Sequence, residues 1–203
     1  RPGVAAVVTS VAGAVLAGGA STRMGRPKAF IEVDGRTLLD RAVAALTDAA
    51  VDPIIVVGGD QGAIEAAGHR FVPDEYPGEG PLGGIISALG AVDTDLVVVL
   101  ACDLLTASPV AVTRLLASLG EGDVAVPVVE GRAQWLHAAW RRSAEFSLRT
   151  AFGGGERAPR RALDGLVTVE ANVDTGVITV TARDLPPGKH TLRAWASDTS
   201  GRA

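Results

Sequence analysis

Cysteine is almost missing from this chain: Cys102 stands alone among 203 residues. One thiol excludes a disulfide framework and leaves too few sulfur ligands for a structural zinc site. It fits a reducing compartment. Histidine is nearly as scarce, and His69, His137 and His190 have no metal-ligand spacing to one another. Long apolar runs are missing too. The longest stretches have the length of a strand, short of the ~20 residues of a membrane-spanning helix. Arg1 alone is a poor charged start for a signal peptide, so an untargeted, cytoplasmic protein is expected. A strong excess of positive charge is also lacking: 19 basic against 23 acidic residues give a formal net charge of −4. A nucleic-acid surface is therefore not expected, and local clusters of basic residues gain meaning.

What the chain has in quantity is small and aliphatic residues. Hydrophobic residues make up 47% of the sequence, chiefly Ala and Val, which suits helices packed closely on a sheet. The length favours one domain with a sizeable core. Strand and helix patterns alternate: strand Val11–Leu16, helix Thr37–Ala50, strand Ile54–Val57, short helix Gln61–Ala67 and a brief strand at Phe71-Val72. Helix Pro81–Ala91, strand Leu96–Leu100, helix Pro109–Leu119 and strand Val124–Val129 follow. Helical stretches show one apolar face, and proline stands in the first turn at Pro81 and Pro109. Such repetition predicts an α/β fold: a single-domain, Rossmann-like, doubly wound and mostly parallel sheet with helices on both faces. Ligands on such sheets sit beyond the carboxyl ends of the strands. Three stretches fall there: the loop after Leu16, Gly58-Gly59, and Ala101-Cys102-Asp103.

The first of these is rich in chemistry. Gly18, Gly19 and Gly25 permit positive φ and close backbone approach, and successive N–H groups in such a turn form an anion-binding concavity. Arg23, Arg26 and Lys28 place cations beside it. The spacing is neither that of a Walker loop nor that of a dinucleotide fingerprint. Asp103 follows the strongest strand directly. A hard oxygen ligand there is where Mg²⁺ would meet a triphosphate; the alternative is a helix cap, a role that Ser108-Pro109 fills better. Residues 73–84, rich in Gly and Pro, form a third candidate loop running into a helix.

Leu16-Ala17-Gly18-Gly19-x-Ser21-x-Arg23-Met24-Gly25-x-Pro27-Lys28-Ala29 resembles the signature loop of the molybdenum cofactor guanylyltransferases, members of a wider nucleotidyltransferase superfamily with a nucleotide-diphospho-sugar transferase-like fold. The resemblance implies that Leu16, Ala17, Gly18 and Gly19 wrap the nucleotide phosphates, that Arg23 and Lys28 clamp them, and that Asp103 holds the metal. Gly80-Pro81-Leu82 is similar to the family segment lying against the base, and Asp74 stands where the family has an acid bonded to guanine. GTP and molybdopterin are then the substrates, and a molybdoenzyme or cofactor-insertion protein is the expected protein partner. The neighbourhood of Gln134–Ala139, read as a strand running into a basic turn at Trp140-Arg141-Arg142, corresponds to the pterin region. There Trp135 is a candidate for stacking and Arg141 or Arg142 for phosphate pairing, with core packing and solvation as the plainer readings. Gly153-Gly154-Gly155 breaks the next helix and is read as a lid.

Asn172-Val173-Asp174-Thr175 matches the family once more, and the likeness stops there. Gly176 replaces the family's proline, and alternation at Val177–Ala182 and His190–Ala196 reads as a β-hairpin. Residues 1–175 are thus expected to form the nucleotidyltransferase domain and 176–203 a C-terminal extension. The rival functions are a cytidylyl- or other nucleotidyltransferase with a different phosphorylated acceptor, and a non-catalytic nucleotide-binding regulator.

Overall fold

The computed structural model describes residues 9–19, 27–105, 107–171 and 178–182. Aliphatic runs with no polar residue to satisfy make the central strands: β1 (Val11–Leu16), β4 (Ile54–Val57) and β6 (Leu96–Ala101). They pair in parallel, β1 lying between β4 and β6. The short β5 (Phe71–Val72) adds in parallel to β4. On the other side the order continues through β9 (Ala139–Arg141), β7 (Val124–Val129), β10 (Val167–Ala171) and β11 (Ile178–Ala182). β7 and β10 are parallel to each other, β9 runs antiparallel between β6 and β7, and β11 antiparallel to β10. A two-residue strand β8 (Arg132–Ala133) folds back on β7. The doubly wound, mostly parallel α/β fold expected from the alternation is the fold observed.

Side-chain alternation along the strands builds two cores. Ala12, Ala14, Val97, Val99 and Val126 face one side, where α3 (Pro81–Gly90) and α5 (Glu145–Gly153) cover them. Val15, Val56, Val98 and Leu100 face the other, covered by α1 (Leu38–Asp48) and α4 (Pro109–Ser118). The helices begin where the sequence provides caps: the Thr37 hydroxyl accepts from the Asp40 amide at 3.0 Å, and Ser108 does the same for Ala111 at 3.3 Å. Asp60 caps α2 (Gln61–Ala66) at 2.9 Å. A hairpin of β2 (Glu32–Val33) and β3 (Arg36–Thr37) turns through Asp34 and Gly35, both at positive φ. Among the described residues no helix is long and apolar enough to cross a membrane.

Two expectations are corrected. The strand read from Gln134 begins only at Ala139, because the Gln134 amide continues the β7–β8 pairing onto Pro127 O and the His137 amide closes a turn on Gln134 O, at 2.9 Å each. Because β9 is antiparallel, Arg141 lies opposite Leu96, at the amino end of β6. That end is about 17 Å from the carboxyl end, at about 3.3 Å per residue. There the Arg141 guanidinium donates to the carbonyls of Gly122 and Gly120, and Arg142 pairs with Asp93 at 3.3 Å. Neither arginine is available to a phosphate at the other end of the sheet. Trp140 is fully buried in the core, and Trp135 packs against the same cluster. The glycine run that ends α5 terminates the helix by accounting for its last carbonyls, with Gly155 and Glu156 amides on Phe152 O and Ala151 O at 3.0 Å. Of the extension, β11 continues the sheet, and the His190–Ala196 arm lies outside the described residues.

Replacing Arg142 by alanine should therefore leave nucleotide affinity within about twofold of the parent and cost about 1 kcal/mol of stability or less, as for other exposed pairs. Calorimetric titration with nucleotide and urea unfolding measure the two quantities.

Candidate active site

Register puts four strand ends in one row. Leu16 stands opposite Val57 and Ala101, and Val57 opposite Val72. The segments that leave these residues must cross the same edge, and they are bound to one another there. Ala17 donates to Val57 O at 2.9 Å, Gly58 to Val72 O at 2.9 Å, and Cys102 to Leu16 O at 3.1 Å. Between them lies a cavity of about 340 Å³ lined by Leu16, Ala17, Gly18, Gly19, Asp74, Gly80, Pro81, Asp103 and Lys28, among others.

Glycine is required at the centre of this edge. Gly58 has φ +69°, and a Cβ there would stand 3.2 Å from the Gly18 Cα and 3.4 Å from the Asp74 Cβ. The turn at Gly58 can approach the first loop this closely only as bare backbone. Gly80, at φ +98°, precedes the first turn of α3, so the amino end of a ten-residue helix faces the cavity with its partial positive charge. Opposite, the buried Ala29 anchors a single 3₁₀ turn, Lys28–Phe30, onto the α1 side of the sheet. This turn holds Lys28 Nζ 3.6 Å from Asp103 Oδ2, both side chains about half exposed, at 47% and 54%. A pair so long and so wet contributes about 1 kcal/mol at most, and either partner can exchange it for a ligand at little cost.

The comparisons with known proteins bear on this geometry. The model of the MobA-like NTP transferase domain matches residues 13–173. The chain belongs to the MobA-like NTP transferase family. It is thus a nucleotidyltransferase. A protein of Chloroflexus aggregans named as a probable molybdenum cofactor guanylyltransferase is 38% identical over 170 residues, 79% of each chain. One of the same name from Clostridium perfringens is 34% identical over 131 residues, 64% of this chain and 65% of that one. The crystal structure of molybdopterin-guanine dinucleotide biosynthesis protein A from Archaeoglobus fulgidus superposes with a TM-score of 0.64 at 26% identity, covering 80% of this chain and 83% of that one.

Within this NTP transferase most of the sequence-derived site residues meet at the cavity. Leu82 does not: its side chain is fully buried among the strands, and its amide bonds Arg157 O at 3.3 Å. The apolar face of α3 turns it inward, into the core. Arg23, with Arg26, and Asn172, with Asp174, lie outside the described residues. Leu136 reaches the cavity wall unforeseen. Its carbonyl accepts from Ala101 N at 2.9 Å, which prolongs the β9 ladder past the strand's formal start. Cys102 is buried, and burial together with the neighbouring Asp103 carboxylate pushes its thiol up to about 11, which keeps it protonated and unreactive near neutral pH.

A second cavity, of about 600 Å³, opens on the α4 side of β6, between Leu100, Leu104, Val112, Pro127, Gln134 and His137. The turn that carries Leu136 to the first cavity carries Gln134 and His137 to the second. Burial lowers the His137 pKa, against a weaker opposing pull from Asp103, so the imidazole is neutral at pH 7, and its Nε2 has no hydrogen-bond partner among the described residues.

Because Gly58 carries φ +69° against Gly18, Gly58→Ala should separate the two turns. The expected result is a loss of about 1–2 kcal/mol from the left-handed conformation alone and a drop in nucleotide affinity beyond tenfold. Thermal melting and calorimetric titration measure these.

Proposed function

We propose that the chain transfers the GMP moiety of GTP to the terminal phosphate of molybdopterin or of its molybdenum-loaded form. The observation that carries this reading is the cavity of about 340 Å³ with a bare glycine turn and a helix amino end on one side and the Lys28–Asp103 pair on the other. An oxygen of the acceptor phosphate attacks the α-phosphorus. The bond from that phosphorus to the oxygen of the β-phosphate breaks, and its electron pair leaves with pyrophosphate. The acceptor phosphate is already ionised near neutral pH, so no strong general base is required, and positioning and charge stabilisation carry the rate.

The residues divide the work. The turn at Ala17, Gly18 and Gly19 receives the phosphates on backbone N–H groups. Lys28 neutralises the charge that builds on the leaving pyrophosphate, and on sequence grounds Arg23 belongs to the same clamp. Gly80-Pro81 and Asp74 face the base. Asp103 fits a divalent cation such as Mg²⁺: it is one hard, half-exposed carboxylate on the cavity wall. Among the described residues no cluster of three or more His, Cys, Asp or Glu side chains forms a closed cage, and Mg²⁺ commonly takes its other ligands from water and phosphate. When bound, such an ion supplies Lewis-acid stabilisation of the phosphoryl oxygens. The second cavity, which shares the 134–137 turn and the Asp103–Leu104 corner with the first, is assigned to the acceptor.

Lys28→Ala should slow pyrophosphate release about 10²–10³-fold, the usual cost of one transition-state charge partner, with the far-ultraviolet dichroism and melting temperature near those of the parent. Near-native turnover would remove Lys28 from the clamp. The choice of base is checked by melting with 1 mM nucleotide and MgCl₂. GTP should raise the midpoint by about 5 °C or more and CTP by far less; an equal or larger shift with CTP would favour a cytidylyltransferase.

A further inference from the structure

A serine stands in the middle of a helix that is otherwise apolar and buried. Ser87 is 1% exposed in α3, and a buried hydroxyl is costly unless its bonds are made. Its Oγ accepts from the Glu75 amide at 2.9 Å. Its single proton lies within reach of Gly83 O at 2.9 Å and of Asp74 Oδ1 at 3.0 Å. The carboxylate is the stronger acceptor. Any mid-helix serine can bond the carbonyl four residues back, but the other two contacts exist only because residues 74 and 75 pass over this point of the helix.

Asp74 Oδ1 also accepts from the Tyr76 amide at 3.0 Å. Two donors therefore occupy that oxygen, about its full capacity. Oδ2 is left for the cavity, 3.7 Å from where a side chain on Gly18 would begin. The backbone around Asp74 has a separate brace. Arg149 holds Glu75 in a two-pronged pair at 2.8 and 2.9 Å and reaches the Tyr76 hydroxyl at 2.8 Å. The Tyr76 ring packs on Phe152 with centroids 4.4 Å apart. Loss of the serine hydroxyl would thus remove one of the two donors on Oδ1 and the acceptor of the Glu75 amide, while the Tyr76 amide and the Arg149 brace stay in place.

We propose that Ser87 is a specificity-determining positioning residue: with the Tyr76 amide it fixes Asp74 so that one oxygen, Oδ2, meets the edge of the base and selects a purine that carries an amino donor beside N1–H. This rests on the guanine-nucleotide reading given above. Guanine offers N1–H and an amino group on that edge, and hypoxanthine only N1–H. A fixed acceptor in line with the amino group separates the two, whereas a carboxylate free to swing would satisfy N1–H in either.

The test is calorimetric titration of GTP and ITP, each with MgCl₂, into the parent, Ser87→Ala and Ser87→Thr. The parent should bind GTP more tightly than ITP. In Ser87→Ala that ratio should fall about tenfold through weaker GTP binding, the worth of one charge-assisted hydrogen bond, with ITP affinity nearly unchanged. Ser87→Thr, whose hydroxyl can take the same rotamer toward the preceding turn, should restore the ratio. An unchanged ratio, or an equal loss for both nucleotides in the alanine variant, would overturn the role of Ser87 and leave the guanylyl reading standing. A parent that binds GTP no better than ITP or CTP would overturn the guanine reading and this proposal with it.

Discussion

Parallel pairing of β1 with both β4 and β6 sets Leu16, Val57 and Ala101 in a single row, and the rest of the site depends on that row. A parallel ladder sends every chain out of the sheet at the same edge, so the segments after these strands have no choice but to meet. Their backbones then bond one another across the edge, from Ala17 to Val57 and from Cys102 to Leu16. Glycines at 58 and 59 follow from this crowding: a side chain on Gly58 would begin 3.2 Å from Gly18, and one on Gly59 3.2 Å from Ala17. What remains at the edge is backbone amide and helix end, the surface best suited to an anion in a protein whose net charge is −4.

The electrostatics of the site are loose where ligands are expected and tight where they are not. Lys28 and Asp103 meet at 3.6 Å in a half-exposed setting. Arg149 and Glu75 meet twice below 3 Å, and the Arg149 guanidinium holds the Glu75 carboxyl below the usual range. The same contrast separates the two oxygens of Asp74, one saturated by protein donors and one facing the cavity. Preorganised scaffolding around under-committed groups is what differential stabilisation of a transition state requires, because no strong protein–protein interaction must be broken when charge develops.

Much of this was legible in the sequence. The aliphatic runs, the N-terminal prolines of α3 and α4, and the loop from Leu16 to Lys28 each carry their own local signal, and the α/β alternation follows from them. Asp34-Gly35 gives the usual hairpin signal, fulfilled by positive φ at both residues, yet it sits inside a stretch dominated by the flanking motif. Pairing partners were not legible. Nothing local in Ala139-Trp140-Arg141 says that the strand enters antiparallel between β6 and β7, and this one fact moves Arg141 and Arg142 from the carboxyl end of β6 to its amino end. Leu82 misled for a similar reason: its motif neighbours Gly80 and Pro81 line the cavity, while the helical turn carries Leu82 into the core.

Helix α3, beside Asp74, shows why small residues cluster at its start. Gly83 lies where a Cβ would stand 2.7 Å from the Tyr76 Cβ, and Gly84 where one would meet Leu16 at 3.5 Å. Helix propensity disfavours two adjacent glycines by roughly 1 kcal/mol each, so packing must outweigh propensity here. Close approach allows α3 to bring Ser87 under Asp74, and Tyr76 to reach both Phe152 and Arg149. The glycines that weaken the helix in isolation are therefore the condition for the contact between helix and loop that holds the cavity-facing carboxylate of Asp74.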